Sequence, residues 1–339
     1  MRYGDRENTI LLAILFRQIG IWLSNLAIPR HDAEFVLSWK TLAELVRLPN
    51  VFSAVTDILL GYFLAQAFVS THELLSLAVP LVATVCLYWA GMVLNDYFDA
   101  DVDAVERAFR PIPSGRIGRA QVGRIGFALL IAGVAVSWLA LPLFDNLRPG
   151  LIGLCVASSV LAYDAGLNRT PLGPIAMGSC RFFNVLLGAA MVETAASPWF
   201  PQAVWLAAGG VGCYIVGVTF FARTEATVSS RGQLIGATAI MFAGLALVSL
   251  IPHSAEFPNP LPPTWWPAIF GFALLIVWRV QRAVRDPRPE RVQPAVGGLL
   301  RLLIFLDALA LCTGNVYVAL GMLLFVPLAR LLGRWIYST

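Results

Sequence analysis

Residues 74–94 read LLSLAVPLVATVCLYWAGMVL and run without a charge into residues 95–103, NDYFDADVD. The first part has the roughly 20 apolar residues that a helix needs to cross a bilayer. The second part packs four aspartates against the end of that helix. Similar apolar stretches recur at 51–69, 122–141, 151–163, 174–192, 204–221, 234–251 and 266–280. A last one, 296–332, is too long for one crossing, and Gly314-Asn315 near its middle marks a break. The fold expected is all-α, a polytopic membrane bundle of nine or ten transmembrane helices.

Composition points the same way. The 339 residues are 58% hydrophobic and 13% charged, with a mean hydropathy of +0.74, whereas a soluble domain carries about 25% charged residues. That balance excludes an ordinary cytosolic enzyme, a disordered chain and a secreted disulfide scaffold. Cys86, Cys155, Cys180, Cys213 and Cys312 stand singly in apolar runs and imply no disulfide framework. His31, His72 and His253 lie far apart, which argues against a histidine metal site. There is no G-x-x-x-x-G-K-[ST] loop, so ATP-driven transport has no support. No nucleic-acid partner is expected.

Arginine placement sets the sidedness. One series of connections holds Arg107, Arg110, Arg116 and Arg119, then Arg169, then Arg223 and Arg231, then Arg282, Arg285, Arg288 and Arg291. The alternate connections, near 70–73, 142–149, 193–201 and 252–265, contain only Arg148. The arginine-rich side is expected to be cytoplasmic, in a multi-pass protein of the cell's inner membrane. Arg330 and Arg334 obey the rule with ten helices and break it with nine. Residues 1–36 are expected to form an extension whose apolar stretch 10–28 lies as a helix in the membrane interface; its Arg17-Gln18 and Ser24-Asn25 pairs repeat at seven residues, as on one face. A second amphipathic lead-in is expected at 37–48.

The chemistry concentrates at 95–103. At about 100° per helical residue, Asp96, Asp99 and Asp103 fall within about 60° of one another, Asn95 lies on the adjoining flank, and Asp101 points away. Like charges at that spacing destabilise a helix, so a cation is required. Hard oxygen donors suit Mg²⁺ or Ca²⁺; a solvated acidic helix end is the plain alternative. Next comes Arg110-Pro111-Ile112-Pro113-Ser114-Gly115-Arg116, where prolines stop the helix and Gly115 permits a turn. A carboxylate face, a divalent ion and an arginine loop together suit a diphosphate, the metal bridging carboxylate and phosphate oxygens while arginine takes the remaining charge.

These residues resemble the UbiA superfamily of intramembrane prenyltransferases. The signature N-D-x-x-D-x-x-x-D followed by R-P-x-x-S-G is matched at Asn95, Asp96, Asp99, Asp103, Arg110, Pro111, Ser114 and Gly115. Arg47-Leu48-Pro49-Asn50 is similar to the family's lead-in, and Tyr163 with Asn168-Arg169 to its Y-x-x-x-[KN]-R loop. The resemblance, over residues 37–332, implies a bundle of about nine helices around a central cavity and a Mg²⁺-bound prenyl diphosphate. It implies transfer of the prenyl group to a lipophilic acceptor, aromatic or hydroxyl. Asn95, Asp96, Asp99 and Asp103 are the implied catalytic set, with the three aspartates on the metal. Arg47, Asn50, Arg110, Arg116, Tyr163, Asn168 and Arg169 are the implied substrate contacts.

One part departs from the family pattern. Where a second D-x-x-x-D motif is expected, residues 220–227 carry one acid, Glu225, with Arg223 two places before it. Arg223 is expected to share the charge balancing opposite phosphate. This altered motif, with 163–170 and 178–184, resembles the EboC-type branch of the superfamily. Arg181 and Asn184 lie within a span, where an ionisable group is costly unless paired or wet. They are assigned to diphosphate or acceptor contacts, the alternative being a carboxylate partner. Asp57 is either that partner or a cavity residue, and Asp307 is read as structural. Tyr88, Trp89 and Phe183 are candidates to face an allylic cation. The expected activity is Mg²⁺-dependent prenyl transfer in the membrane; the alternative is a degenerate member that binds or moves an isoprenoid lipid without chemistry.

Overall fold

The computed structural model describes residues 38–66, 74–192, 199–254 and 263–335. The expected interfacial helix of residues 1–36 lies outside them. Among the described residues every regular element is helical: α1 Trp39–Leu45, α2 Val51–Gln66, α3 Ala78–Phe98, α4 Ala100–Glu106, α5 Arg119–Trp138, α6 Ala140–Phe144, α7 Arg148–Asp164, α8 Gly173–Ala189, α9 Gln202–Ala222, α10 Arg231–Ser249, α11 Trp265–Arg285, α12 Pro289–Leu311, α13 Val316–Met322 and α14 Phe325–Trp335.

Eight helical segments are long and apolar enough to cross a membrane, with α13 and α14 together forming the last, Val316–Trp335. Two shorter helices, α7 and α8, of 17 residues each, lie between the third and fourth of these in chain order. Residues 312–315 separate α12 from α13, where the sequence expects a break, and the Asn315 side chain caps α13 by accepting from the Val318 amide at 3.1 Å. The returning segment ends beside the start of α2: Phe325 stacks on Phe52 with centroids 5.3 Å apart. A Cβ at Gly333 would lie 4.0 Å from the Pro49 side chain. Arg330 and Arg334 therefore return to the end of the bundle that carries Arg47.

Large apolar side chains such as Val82, Ile131, Ile175, Phe270, Leu274 and Leu320 stand exposed around the outside. In water such a belt would drive aggregation; in a bilayer it meets lipid tails that are equally apolar. With no hydrophobic gain between helices in lipid, close backbone approach becomes the means of association. A Cβ on Gly61 of α2 would collide with the backbone carbonyl of Val185 in α8, and one on Gly188 with that of Ile58. α9 packs along both α8 and α10, and α3 along α5. The hydroxyl of Tyr214 donates to the Leu299 carbonyl at 2.8 Å, tying α9 to α12. Arg148, the lone arginine of the alternate connections, holds that end together by donating to the carbonyls of Val192 (3.1 Å) and Trp199 (3.0 Å).

Candidate active site

The expected acidic helix is two helices. α3 stops at Phe98, Asp99 sits between with φ −91° and ψ 5°, and α4 restarts at Ala100. The in-phase reading survives this small break. Asp96 and Asp103 turn inward and are buried at 4% and 1% exposure, while Asp101 points away and pairs with Arg119 at 3.0 Å.

Arginines meet these acids. Arg110 places one nitrogen 2.5 Å from Asp103 and 3.2 Å from Asp96. Arg47 reaches the same Asp96 oxygen at 3.0 Å, Arg107 lies 3.6 Å from Asp103, and Arg169 pairs with Asp99 at 3.0 Å. The partners come from three directions, and each backbone is shaped for it. Arg47 has φ 47° and ψ 53°, a left-handed conformation costly for a residue with a Cβ. It turns the chain from α1 into α2 beneath α3. The loop at 110–116 closes on itself: the Ser114 amide and hydroxyl both donate to the Arg110 carbonyl, at 3.0 and 2.7 Å, and Gly115 takes φ +73°. The Arg116 side chain then donates to Ser114 Oγ at 3.0 Å and to the Phe109 carbonyl at 2.8 Å, and it forms an ion pair with Glu44 of α1. Glu44, Arg47, Asp96, Phe109, Arg110, Pro111 and Arg116 together line a pocket.

A second group meets the acids from α7 and its loop. Asn95 donates to Asp99 at 3.1 Å and to Asp164 at 3.4 Å. Among the described residues, the buried oxygens Asp103 Oδ1, Asp164 Oδ2 and Asn168 Oδ1 have no hydrogen-bond donor. Among the described residues no three His, Cys, Asp or Glu side chains form a ready-made metal cage. Mg²⁺ takes only one or two carboxylates and completes its octahedron with phosphate oxygens and water. A donor set of hard, unsatisfied oxygens beside arginines fits a Mg²⁺ ion shared with a diphosphate.

Other expected residues are placed differently. Arg181 and Asn184 do not reach toward the acidic strip: both donate to Asp57, at 2.9 and 3.0 Å. Arg181 also donates to Ser53 at 3.0 Å and lies over the Tyr88 ring at 5.6 Å. A fully buried Asp57 demands a cation and α8 supplies it, which is the carboxylate partnership that the sequence offered as the alternative for this pair. Asp307, also fully buried, accepts from Thr56 at 2.5 Å, as a structural residue would. Arg223 is exposed and makes no ion pair among the described residues. Glu225 is partly buried; burial pushes its carboxyl up from the ordinary range while Arg107 pulls it down. Arg107 thus lies between this loop and Asp103. Asn50 is exposed at the start of α2, and Tyr163 is half-buried beside Asp164.

Sequence reasoning missed Glu44, Arg107 and Asp164. The signal available for Asp164 was an acid closing an otherwise apolar helix one turn before Asn168.

The UbiA prenyltransferase family matches residues 54–302. The digeranylgeranylglyceryl phosphate synthase of Saccharolobus solfataricus is 31% identical over 137 residues, 40% of this chain and 45% of that protein. The chain spans about half the length of the curated relatives it matches. A UbiA homologue from Aeropyrum pernix K1 superposes with TM-score 0.57 at 22% identity, covering 78% of this chain and 96% of that one. A UbiA homologue from Archaeoglobus fulgidus, solved with GPP and Mg²⁺, superposes with TM-score 0.56 at 15% identity, covering 83% and 99%. The fold is that of these membrane proteins, and the chain belongs to the UbiA prenyltransferase family.

Proposed function

We propose that the chain transfers a prenyl group from a prenyl diphosphate to a lipophilic acceptor within the membrane, from a site on the cytoplasmic side. The observation that carries this is the strip Asp96, Asp99 and Asp103 met by Arg47, Arg110 and Arg169, which arrive from three separate segments. Mg²⁺ would be held by these aspartates with Asn95 and would neutralise the leaving diphosphate. When phosphate enters, Arg47, Arg110 and Arg169 exchange carboxylate for phosphate oxygens; Arg116 lines the same pocket. Donors already aimed at developing charge supply the largest part of such catalysis. Asn168 and Tyr163, at the α7 end, and Asn50, three residues after Arg47, would complete the contacts to the substrate. The relatives' name describes a glyceryl phosphate bearing two geranylgeranyl groups, which favours a hydroxyl over an aromatic acceptor. Whether the chain falls in the EboC-type branch is part of the same proposal.

The test is diphosphate release from labelled prenyl diphosphate in membranes with Mg²⁺. Wild type should release it, and Asp96→Asn and Asp103→Asn should each lose most of the rate. Retained release in both variants overturns the assignment. The altered 220–227 segment favours a second reading, an isoprenoid carrier; saturable binding without release by the wild type would select it.

A further inference from the structure

Asp164 closes α7 with 4% of its surface exposed. Its Oδ1 accepts from Asn95, and its Oδ2 is buried with no donor among the described residues. The charges that act on it are of the wrong sign: Asp99 and Asp96 lie near, and the arginine within range, Arg47, is engaged by Asp96. It also sits at a helix C-terminus, whose partial negative charge disfavours an anion. A buried carboxylate so placed takes either a proton or a cation.

Its neighbours decide between the two. One amide, Asn95 Nδ2, donates to both Asp99 and Asp164, so a single group orients both carboxylates. Asn168, four residues on, contributes another buried oxygen without a donor. A protonated Asp164 would spend its O–H on one of these acceptors; here none is within hydrogen-bond distance. Asp164 Oδ2 and Asn168 Oδ1 lack a donor among the described residues, while Asp99, which shares Asn95 with Asp164, is met by Arg169.

We propose that Asp164 is a further ligand-side residue for the divalent cation, oriented by Asn95 and acting alongside Asp99. This rests on the diphosphate reading above. It assigns to α7 part of the negative charge that the 220–227 segment, with Glu225 alone, does not supply.

The experiment measures binding of an unreactive prenyl diphosphate analogue to the purified full chain in nanodiscs as Mg²⁺ is varied. Asp164→Asn copies a protonated carboxyl in shape and should raise the Mg²⁺ concentration for half-maximal binding about tenfold or more, the range typical of groups supporting a metal. Asp164→Glu should recover part of that loss. Thermal stability without Mg²⁺ should hold or rise in Asp164→Asn, since an unpaired buried charge is removed. An Asp164→Asn that folds and keeps the wild-type Mg²⁺ dependence overturns the proposal, as does a Glu variant worse than the Asn one. Wild-type binding that ignores Mg²⁺ overturns the diphosphate reading itself, which separates the two failures.

Discussion

One nitrogen of Arg110 serves both Asp96 and Asp103, and neither carboxylate has more than a few per cent of its surface in solvent. Removing one partner of a buried pair leaves an uncompensated charge at a cost of about 3–5 kcal/mol. Arg110→Ala is therefore expected to lower the thermal midpoint in detergent sharply. Adding Asp103→Asn should restore part of it, because the stranded charge is gone. If the double variant is no better than Arg110→Ala, the destabilisation comes from the loop and not from charge. At this scale Asp96, Asp99, Asp103 and Arg110 were legible, since all lie within one short segment whose helical period sets their phase. Glu44, Arg47's target and Asp164 were not, since each contact joins segments far apart in the chain.

α2 and α8 approach so closely that each needs glycine where the other's backbone passes, at Gly61 and Gly188. Gly188→Leu should force the helices apart and carry Asp57 away from Arg181 and Asn184, giving low yield and an early-eluting species on size exclusion. Gly271, with nothing near its Cβ position, should tolerate alanine. The loop after α9 offers a pH test. Glu225 has its carboxyl raised by burial, so the folded protein holds that proton to higher pH than the unfolded chain does. Stability from this group is thus present at low pH and lost as pH rises through the raised value. Glu225→Gln should unfold at a higher temperature than wild type at pH 8 and at the same temperature at pH 4. The elements themselves were legible: the apolar stretches read from sequence match α2, α3, α5 and α7 to α11 to within about five residues, and the last stretch, 296–332, divides near its expected break into α12 and the segment after it. Arg181 and Asn184 were legible as unusual and Asp57 as a candidate partner, but the choice between partner and cavity residue waited on the packing of α2 against α8.

For the whole molecule, the return of Val316–Trp335 to the Arg47 end places residues 312–315 at the end opposite the acidic site. A membrane-impermeant thiol reagent added to intact cells is expected to label Cys312, the exposed cysteine among those described. Val228→Cys, in an arginine-side loop, should react only after permeabilisation. Labelling of position 228 from outside would reverse the orientation drawn from the arginines. The two-sided arginine distribution was legible because it is a property of loops in sequence order. The parity of the last segment became plain only when its end met Leu48–Asn50.

By itself the sequence determined the all-helical membrane architecture, the gathering of arginines in alternate connections and an acidic strip beside an arginine loop, because hydropathy, loop charge and helical phase are local and additive along the chain. Tertiary structure alone decided which cation faces which acid: Arg47 and Arg110 on Asp96, Arg169 on Asp99, Arg181 on Asp57, and, among the described residues, no ion pair on Asp164. Ion pairing falls off within a few ångströms, and such distances between remote segments exist only once the helices have packed.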